Sequence, residues 1–167
     1  MRGIFDELAQ FWRIEGHVNI NTAARDSLRL EAGLCLYGSD MDEAVDPASA
    51  ALTWAIPKTI RQNGQYRGAK ALEKIMASGA ELKRVGLKPE GRQPVRGGAL
   101  LYSENGEEIG RVTSGGFGPS ANHPVAMGYV PKPLSTPGTT VFADVRGTKV
   151  PVAVHTLPFV PHSYFRG

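Results

Sequence analysis

Apolar positions along this chain change their spacing once, near residue 79. Before that point they recur at helical intervals, in FDELAQFW near the start, TAARDSLRLEA, DPASAALTWAI and GAKALEKIMASG. After it they fall in short β-type runs divided by glycine, proline and Asn-Gly: ELKRVGL, GALLYSENGEEIGRVTSG, HPVAMGYV, TTVFADVRG and KVPVAVHTLPFV. The pattern predicts an α+β protein. Residues 1–78 form its mostly helical part and residues 79–167 a small antiparallel β-barrel.

Local signals refine this outline. Asn21 or Thr22 offers an N-cap to the helix in TAARDSLRLEA, whose Ala24, Leu28 and Ala32 share one face. Arg25 and Arg29 share another stripe, with Asp26 and Glu31 near enough to balance part of their charge, so one arginine is left for other work. Gly33 weakens the helix, and the apolar LCLY after it suits a buried strand ended by a Gly38-Ser39-Asp40 turn. Asp46 and Pro47 make an N-cap and a first helical position, and Gly79 closes the helix before the barrel. Asn105-Gly106 predicts a hairpin with a type I′ turn, pairing LLYSE with EEIGRVTSG. A second hairpin turns at Arg146-Gly147, and Pro151 within it argues for an edge strand or a strand start. TSGGFGPS lacks the ending of a phosphate-binding loop and follows a hairpin, so it reads as a barrel loop.

Composition narrows the function classes. The 167 residues carry a formal charge of +3, with a pI of about 9.1, and no run of basic residues interleaved with aromatics, so nucleic acid is not favoured as a partner. No stretch approaches the ~20 apolar residues that span a bilayer, which removes the membrane as a partner, and MRGIFDELAQFWR lacks the apolar core of an export signal. The single cysteine, Cys35, fits a reducing compartment and, within LCLY, a buried small hydrophobe. His17, His123, His155 and His162 show no metal-ligand spacing, and no serine lies in a nucleophile elbow. Read from its residues alone, the run over residues 24–43 is a charged, solvated helix face on a core helix.

A resemblance carries the reading further. ARDSLRLEAGLCLYGSDMDE, followed in order by LTWAIPK, RVGL, PVRGG, EIGRVTSGGFGPS, VAMGYVP, ADVRG and PFVPHSYFR, resembles the C-terminal part of the glycine cleavage system T proteins, the aminomethyltransferases. The similarity is collinear from about residue 20 to residue 167. Folate-binding modules at the C-termini of dimethylglycine and sarcosine dehydrogenases are less similar in LCLYGSDMD and VAMGYVP.

This resemblance implies a fold and a chemistry. Residues 1–78 become the remnant of a folate-binding α+β domain, and residues 79–167 the C-terminal barrel domain. The family moves the methylene carbon of an aminomethyl group, carried on the lipoyl arm of H protein, to tetrahydrofolate as co-substrate, releasing ammonia. Its folate-binding arginine falls on Arg25, and its closing ligand-contacting tyrosine on Tyr164. A guanidinium can pair with a folate carboxylate, and a tyrosine offers a ring face and a hydroxyl. Arg25 closing a salt bridge to Asp26 or Asp40, and Tyr164 packing at the C-terminus, are the structural alternatives.

Arg84, Arg96, Arg111 and Arg146 lie in the barrel's motif blocks and read as structural or solvated. The family's catalytic aspartate and its pterin-reading glutamate belong upstream of this chain, so no catalytic residue is assigned within it. The expectation is a truncated enzyme with little activity alone, or one part of a split enzyme completed by an N-terminal fragment. A non-catalytic folate-binding or interaction module is the alternative. The compartment would be the cytoplasm of a bacterium or the matrix of a mitochondrion.

Overall fold

The computed structural model describes residues 22–163. Six antiparallel strands close into a barrel: β1 (Leu82–Pro89), β2 (Leu100–Tyr102), β3 (Glu108–Gly118), β4 (His123–Pro131), β5 (Thr140–Val145) and β6 (Thr148–His155), in the order β1-β4-β3-β2-β5-β6. Alternation along each strand aims one set of side chains inward, where Val85, Leu87, Leu101, Val112, Val130, Val141 and Val152 are buried together with Val95 of the β1–β2 connection. Valine and alanine predominate because a six-stranded barrel has a narrow interior that β-branched and small side chains fill.

Strand β4 is buried on both faces. Ala126 and Val130 join the barrel interior, while Val125 and Met127 pack outward under Leu30 of the first described helix, with Leu157 and Phe159 beside them. Its near-continuous apolar run is therefore a strand covered on two sides rather than one facing water.

Both predicted hairpins form, but the turn with positive φ at two central residues, expected at Asn105-Gly106, occurs at Arg146-Gly147 instead. At Asn105-Gly106 only Gly106 has positive φ (83°), and its N–H donates to the Ser103 carbonyl at 3.0 Å while the Ser103 N–H donates to Glu107 O at 2.8 Å. Glu104 and Asn105 are thus the central residues, and Gly106 supplies the left-handed position of a bulged loop. Arg146-Gly147 is the two-residue turn with positive φ at both positions (56° and 83°), closing the Val145–Thr148 pair, and the Asp144 carboxylate accepts the Gly147 N–H at 2.7 Å. Pro151 lies inside β6 of a closed barrel, not on an edge strand. Its carbonyl accepts the Glu90 N–H at 3.0 Å, just past the end of β1, so its missing N–H falls where the neighbouring ladder stops.

TSGGFGPS is not a loop either: residues up to Gly118 belong to β3. Its glycines serve close packing, since a Cβ at Gly115 would stand 1.9 Å from the Val95 carbonyl oxygen and one at Gly118 2.8 Å from Glu31 Oε1. Thr113 is an extra residue in β3, because Val112 pairs with Gly128 and Ser114 with Met127. The bulge breaks alternation and turns Thr113 and Ser114 toward the same side.

Ahead of the barrel lie α1 (Thr22–Glu31), α2 (Lys58–Asn63) and α3 (Ala69–Ser78). Gly79, at φ 82°, ends α3 as expected. Helix α1 ends in a Schellman motif, with the Leu34 N–H on Arg29 O at 2.9 Å, the Gly33 N–H on Leu30 O at 3.0 Å, and Gly33 at φ 69°. The buried face of α1 carries Leu30 and Glu31, whereas Leu28 is half exposed, so the face is rotated from the expected Ala24–Leu28–Ala32 stripe.

LCLY forms no strand. The Asp40 carboxylate accepts the Leu36 N–H at 2.9 Å and the Asp40 N–H donates to Leu36 O at 2.8 Å, so local turns satisfy the backbone that a strand would have paired. The DPASAALTWAI segment keeps its predicted cap but not its helix. Asp46 Oδ1 accepts the N–H groups of Ala48 and Ser49 at 2.8 and 2.9 Å, and then Ala51, at φ 56°, stops the winding after one turn, ahead of a short 3-10 segment at Thr53–Ala55. The apolar Phe5, Leu8, Phe11 and Trp12, expected to present an uncovered surface, lie outside the described residues, as does Asn21.

Candidate functional site

Helix α1 is held on the barrel by a buried polar cluster. Asp40 is fully buried, and its carboxylate accepts from the Arg29 guanidinium, the Leu36 N–H and, at 2.5 Å, the Thr113 hydroxyl. Arg29 also donates to Ser114 Oγ at 2.9 Å and to Asp26 Oδ1 at 2.7 Å. The Tyr129 hydroxyl donates to the Asp40 carbonyl at 2.7 Å. Burial above all, with the charges of Cys35, Asp40 and Asp46 adding and Arg84 opposing, pushes the Tyr129 phenol up to about 12.

Glu31 and Arg84 add two further ties. Glu31 Oε1 accepts the N–H groups of Ser120 and Ala121, both at 2.7 Å, and its main-chain oxygen accepts the Phe159 N–H at 2.9 Å. One residue, through its side chain and its main-chain oxygen, thus joins α1, the β3–β4 loop and the C-terminal segment. Arg84 on β1, 6% exposed, donates from Nε to Ala50 O at 2.9 Å and from Nη1 to Gly33 O at 3.0 Å. It thereby pins both turns ahead of the barrel to its outer wall.

Arg25 is placed differently. It is exposed on α1, one turn before Arg29, and has no hydrogen-bond or ion-pair partner among the described residues. The salt bridges to Asp26 and Asp40 weighed for Arg25 are made by Arg29, which sits nearer the helix end that meets the Asp40 turn. Tyr164 lies outside the described residues, so they do not bring the two expected ligand residues together. A cleft of about 450 Å³ opens at the far end of α1, lined by residues that include Cys35, Trp54, Arg84 and His162. Cys35 is half-buried rather than fully enclosed, and burial pushes its thiol up, against the opposing charge of Arg84.

The sequence pattern did not single out Asp40, Glu31, Thr113 or Ser114 as a cluster. A hint was available in the unusual density of small residues after Ser114, which marks close approach by another element. Of the four barrel arginines, Arg84 is buried and bonded to the turns ahead of the barrel, while Arg96, Arg111 and Arg146 are exposed.

Comparison with known proteins agrees with this arrangement. Residues 1–59 match the family model described as the GCVT N-terminal domain, and residues 83–161 that of the glycine cleavage T-protein C-terminal barrel domain. The mitochondrial aminomethyltransferase of Flaveria trinervia is 46% identical over 153 residues, 91% of this chain and 37% of the relative. The human mitochondrial aminomethyltransferase is 44% identical over 143 residues, 86% of this chain and 35% of the relative. The chain therefore spans a little over one third of the length of these relatives. The crystal structure of the glycine cleavage system aminomethyltransferase T from Bartonella henselae superposes with a TM-score of 0.91 at 50% identity, covering 98% of this chain and 46% of that one. With its barrel, its α1 docking and both matched regions in the same order, this chain belongs to the glycine cleavage T-protein family.

Proposed function

We propose that this protein acts as an aminomethyltransferase of the glycine cleavage system. The methylene carbon of an aminomethyl group on the lipoyl arm of H protein passes to tetrahydrofolate, ammonia leaves, and the arm is released with its thiol restored. In this reading Arg25 holds a folate carboxylate through charge-assisted hydrogen bonds, and Tyr164 adds a ring face and a hydroxyl contact. The observation that carries it is the division of labour on α1: Arg29 is consumed by Asp26, Asp40 and Ser114, while Arg25, on the same stripe, is exposed and unpartnered among the described residues.

Proton transfer would come from a carboxylate outside these 167 residues, in the region where the family carries its catalytic aspartate; help of that kind is worth ~10² to 10⁴-fold. The matching compartments are a bacterial cytoplasm or a mitochondrial matrix, the latter in keeping with the names of the plant and human relatives.

The direct experiment measures methylenetetrahydrofolate formation from aminomethyl-loaded H protein, using this chain alone and together with a separately produced N-terminal T-protein region. Product is expected only in the combination, with tetrahydrofolate binding weakened in Arg25→Ala. No product in either mixture, together with unaltered folate binding in Arg25→Ala, refutes the reading.

A further inference from the structure

Arg84 is a buried cation with an unused edge. Its Nε and Nη1 are taken by Ala50 O, Gly33 O and Met127 Sδ, but Nη2 has no hydrogen-bond partner among the described residues. Nη2 is also not among the side-chain atoms that are both enclosed and unpartnered, so it is not wholly sealed from its surroundings. Arg84 has no carboxylate within salt-bridge distance among the described residues, although its side chain is nine-tenths buried. A guanidinium taken out of water without a counter-charge is costly, and an anion arriving at its open edge recovers part of that cost.

Arg84 also lines a cleft suited to such an anion. The cleft of about 450 Å³ at the end of α1 is lined by Arg84 and Lys83, and no Asp or Glu is among its lining residues. Leu34, Leu157 and Pro158 form apolar wall, and Trp54, 72% exposed, is also among the lining residues and offers a ring face. An apolar concavity with a few convergent polar groups of one sign is the usual form of a small-molecule site.

We infer that this cleft binds a carboxylate carried on an aromatic or apolar body, with the carboxylate on Arg84 Nη2 and the body against Trp54 and Leu157. The site is separate from Arg25, which does not line the cleft, and the inference does not rest on the aminomethyltransferase reading. Two sources share this chemistry: the p-aminobenzoylglutamate end of a folate, and an unrelated aromatic carboxylate.

The test follows backbone amide resonances of the 15N-labelled chain during titration with benzoate, with benzamide, and with p-aminobenzoylglutamate. Benzoate is expected to shift the amides of Gly33–Cys35, Val85–Gly86 and Thr156–Leu157, while benzamide, matched in shape but neutral, leaves them in place. Trp54→Ala, at an exposed position that should leave the fold intact, weakens benzoate binding several-fold. Arg84→Lys, which keeps the charge but not the fork, weakens it further.

Stronger binding of p-aminobenzoylglutamate than benzoate, with displacement by tetrahydrofolate, assigns the site to the folate tail; equal binding without displacement assigns it to a separate carboxylate. Equal shifts from benzoate and benzamide, shifts confined to other surfaces, or none at all overturn the inference. Arg25→Ala should leave the benzoate response unchanged, so this inference and the folate-binding reading fail separately.

Discussion

The Arg29 guanidinium meets the Asp40 carboxylate beneath α1, with the aspartate side chain wholly enclosed and the arginine side chain 13% exposed. Breaking a buried pair by removing one partner typically costs about 3–5 kcal/mol, because the other charge is stranded. Asp40→Ala, which also removes the acceptor of the Leu36 N–H and leaves the Thr113 hydroxyl only the longer bond to Met127 O, should lower the urea midpoint at the upper end of that range. Replacing both residues with apolar side chains should cost less than the sum of the single changes in a double-mutant cycle.

Arg25→Ala should behave in the opposite way. An exposed side chain without partners contributes within about 0.5 kcal/mol to stability, so the urea midpoint stays put. Calorimetry with tetrahydrofolate should nevertheless show affinity falling by roughly 10 to 100-fold, the worth of a charge-assisted hydrogen bond to a carboxylate. Equal tetrahydrofolate affinity in the two proteins would remove Arg25 from the site.

Gly115→Ala should damage the barrel although alanine is one methyl larger. The new Cβ would lie 1.9 Å from the Val95 carbonyl oxygen, which is backbone and cannot rotate away. Overpacking of this kind costs about 1–3 kcal/mol or more, read as a drop in melting temperature. At Gly116, where the nearest atom is Leu30 Cδ2 at 3.7 Å, the same substitution should be much milder.

Tyr129 predicts an alkaline limit. Its phenol is pushed up to about 12, from 10.0, so between those values the folded chain holds a proton that the unfolded chain releases. The stabilisation is complete below about pH 10 and is lost as pH rises toward 12. Urea titrations across that interval should show stability falling with pH, and Tyr129→Phe should flatten this component of the slope.

Cys35 should be a slow thiol. Burial pushes it up, so at neutral pH less thiolate is present than in a free cysteine, and the thiolate is the reactive form. Alkylation by iodoacetamide should be slower in the native chain than in urea. A native rate matching the unfolded one would show that the turn after α1 leaves the thiol open.

The β-rich half was legible because its signals are local. Asn105-Gly106 and Arg146-Gly147 both mark real hairpins, and Gly79 ends a real helix. The turn types were not legible, because whether a loop has two central residues or a bulge depends on the register of the strands it joins. The LCLY segment misled for a related reason: an apolar run forms a strand only beside a partner, and the Asp40 turn claims its backbone first.

The candidate site divides in the same way. The family blocks, the order of helices before barrel strands, and the placement of Arg25 with Arg29 on one stripe of one helix were all legible in the order of the residues. Which arginine is consumed depends on the folded chain, because Asp40, Thr113 and Ser114 reach α1 through a turn and a bulged strand. Helical spacing is a property of neighbouring residues and can be read along the chain. The partner of a buried charge is chosen by contacts between residues as far apart as Arg29 and Ser114, where burial makes an unpaired charge too costly to leave.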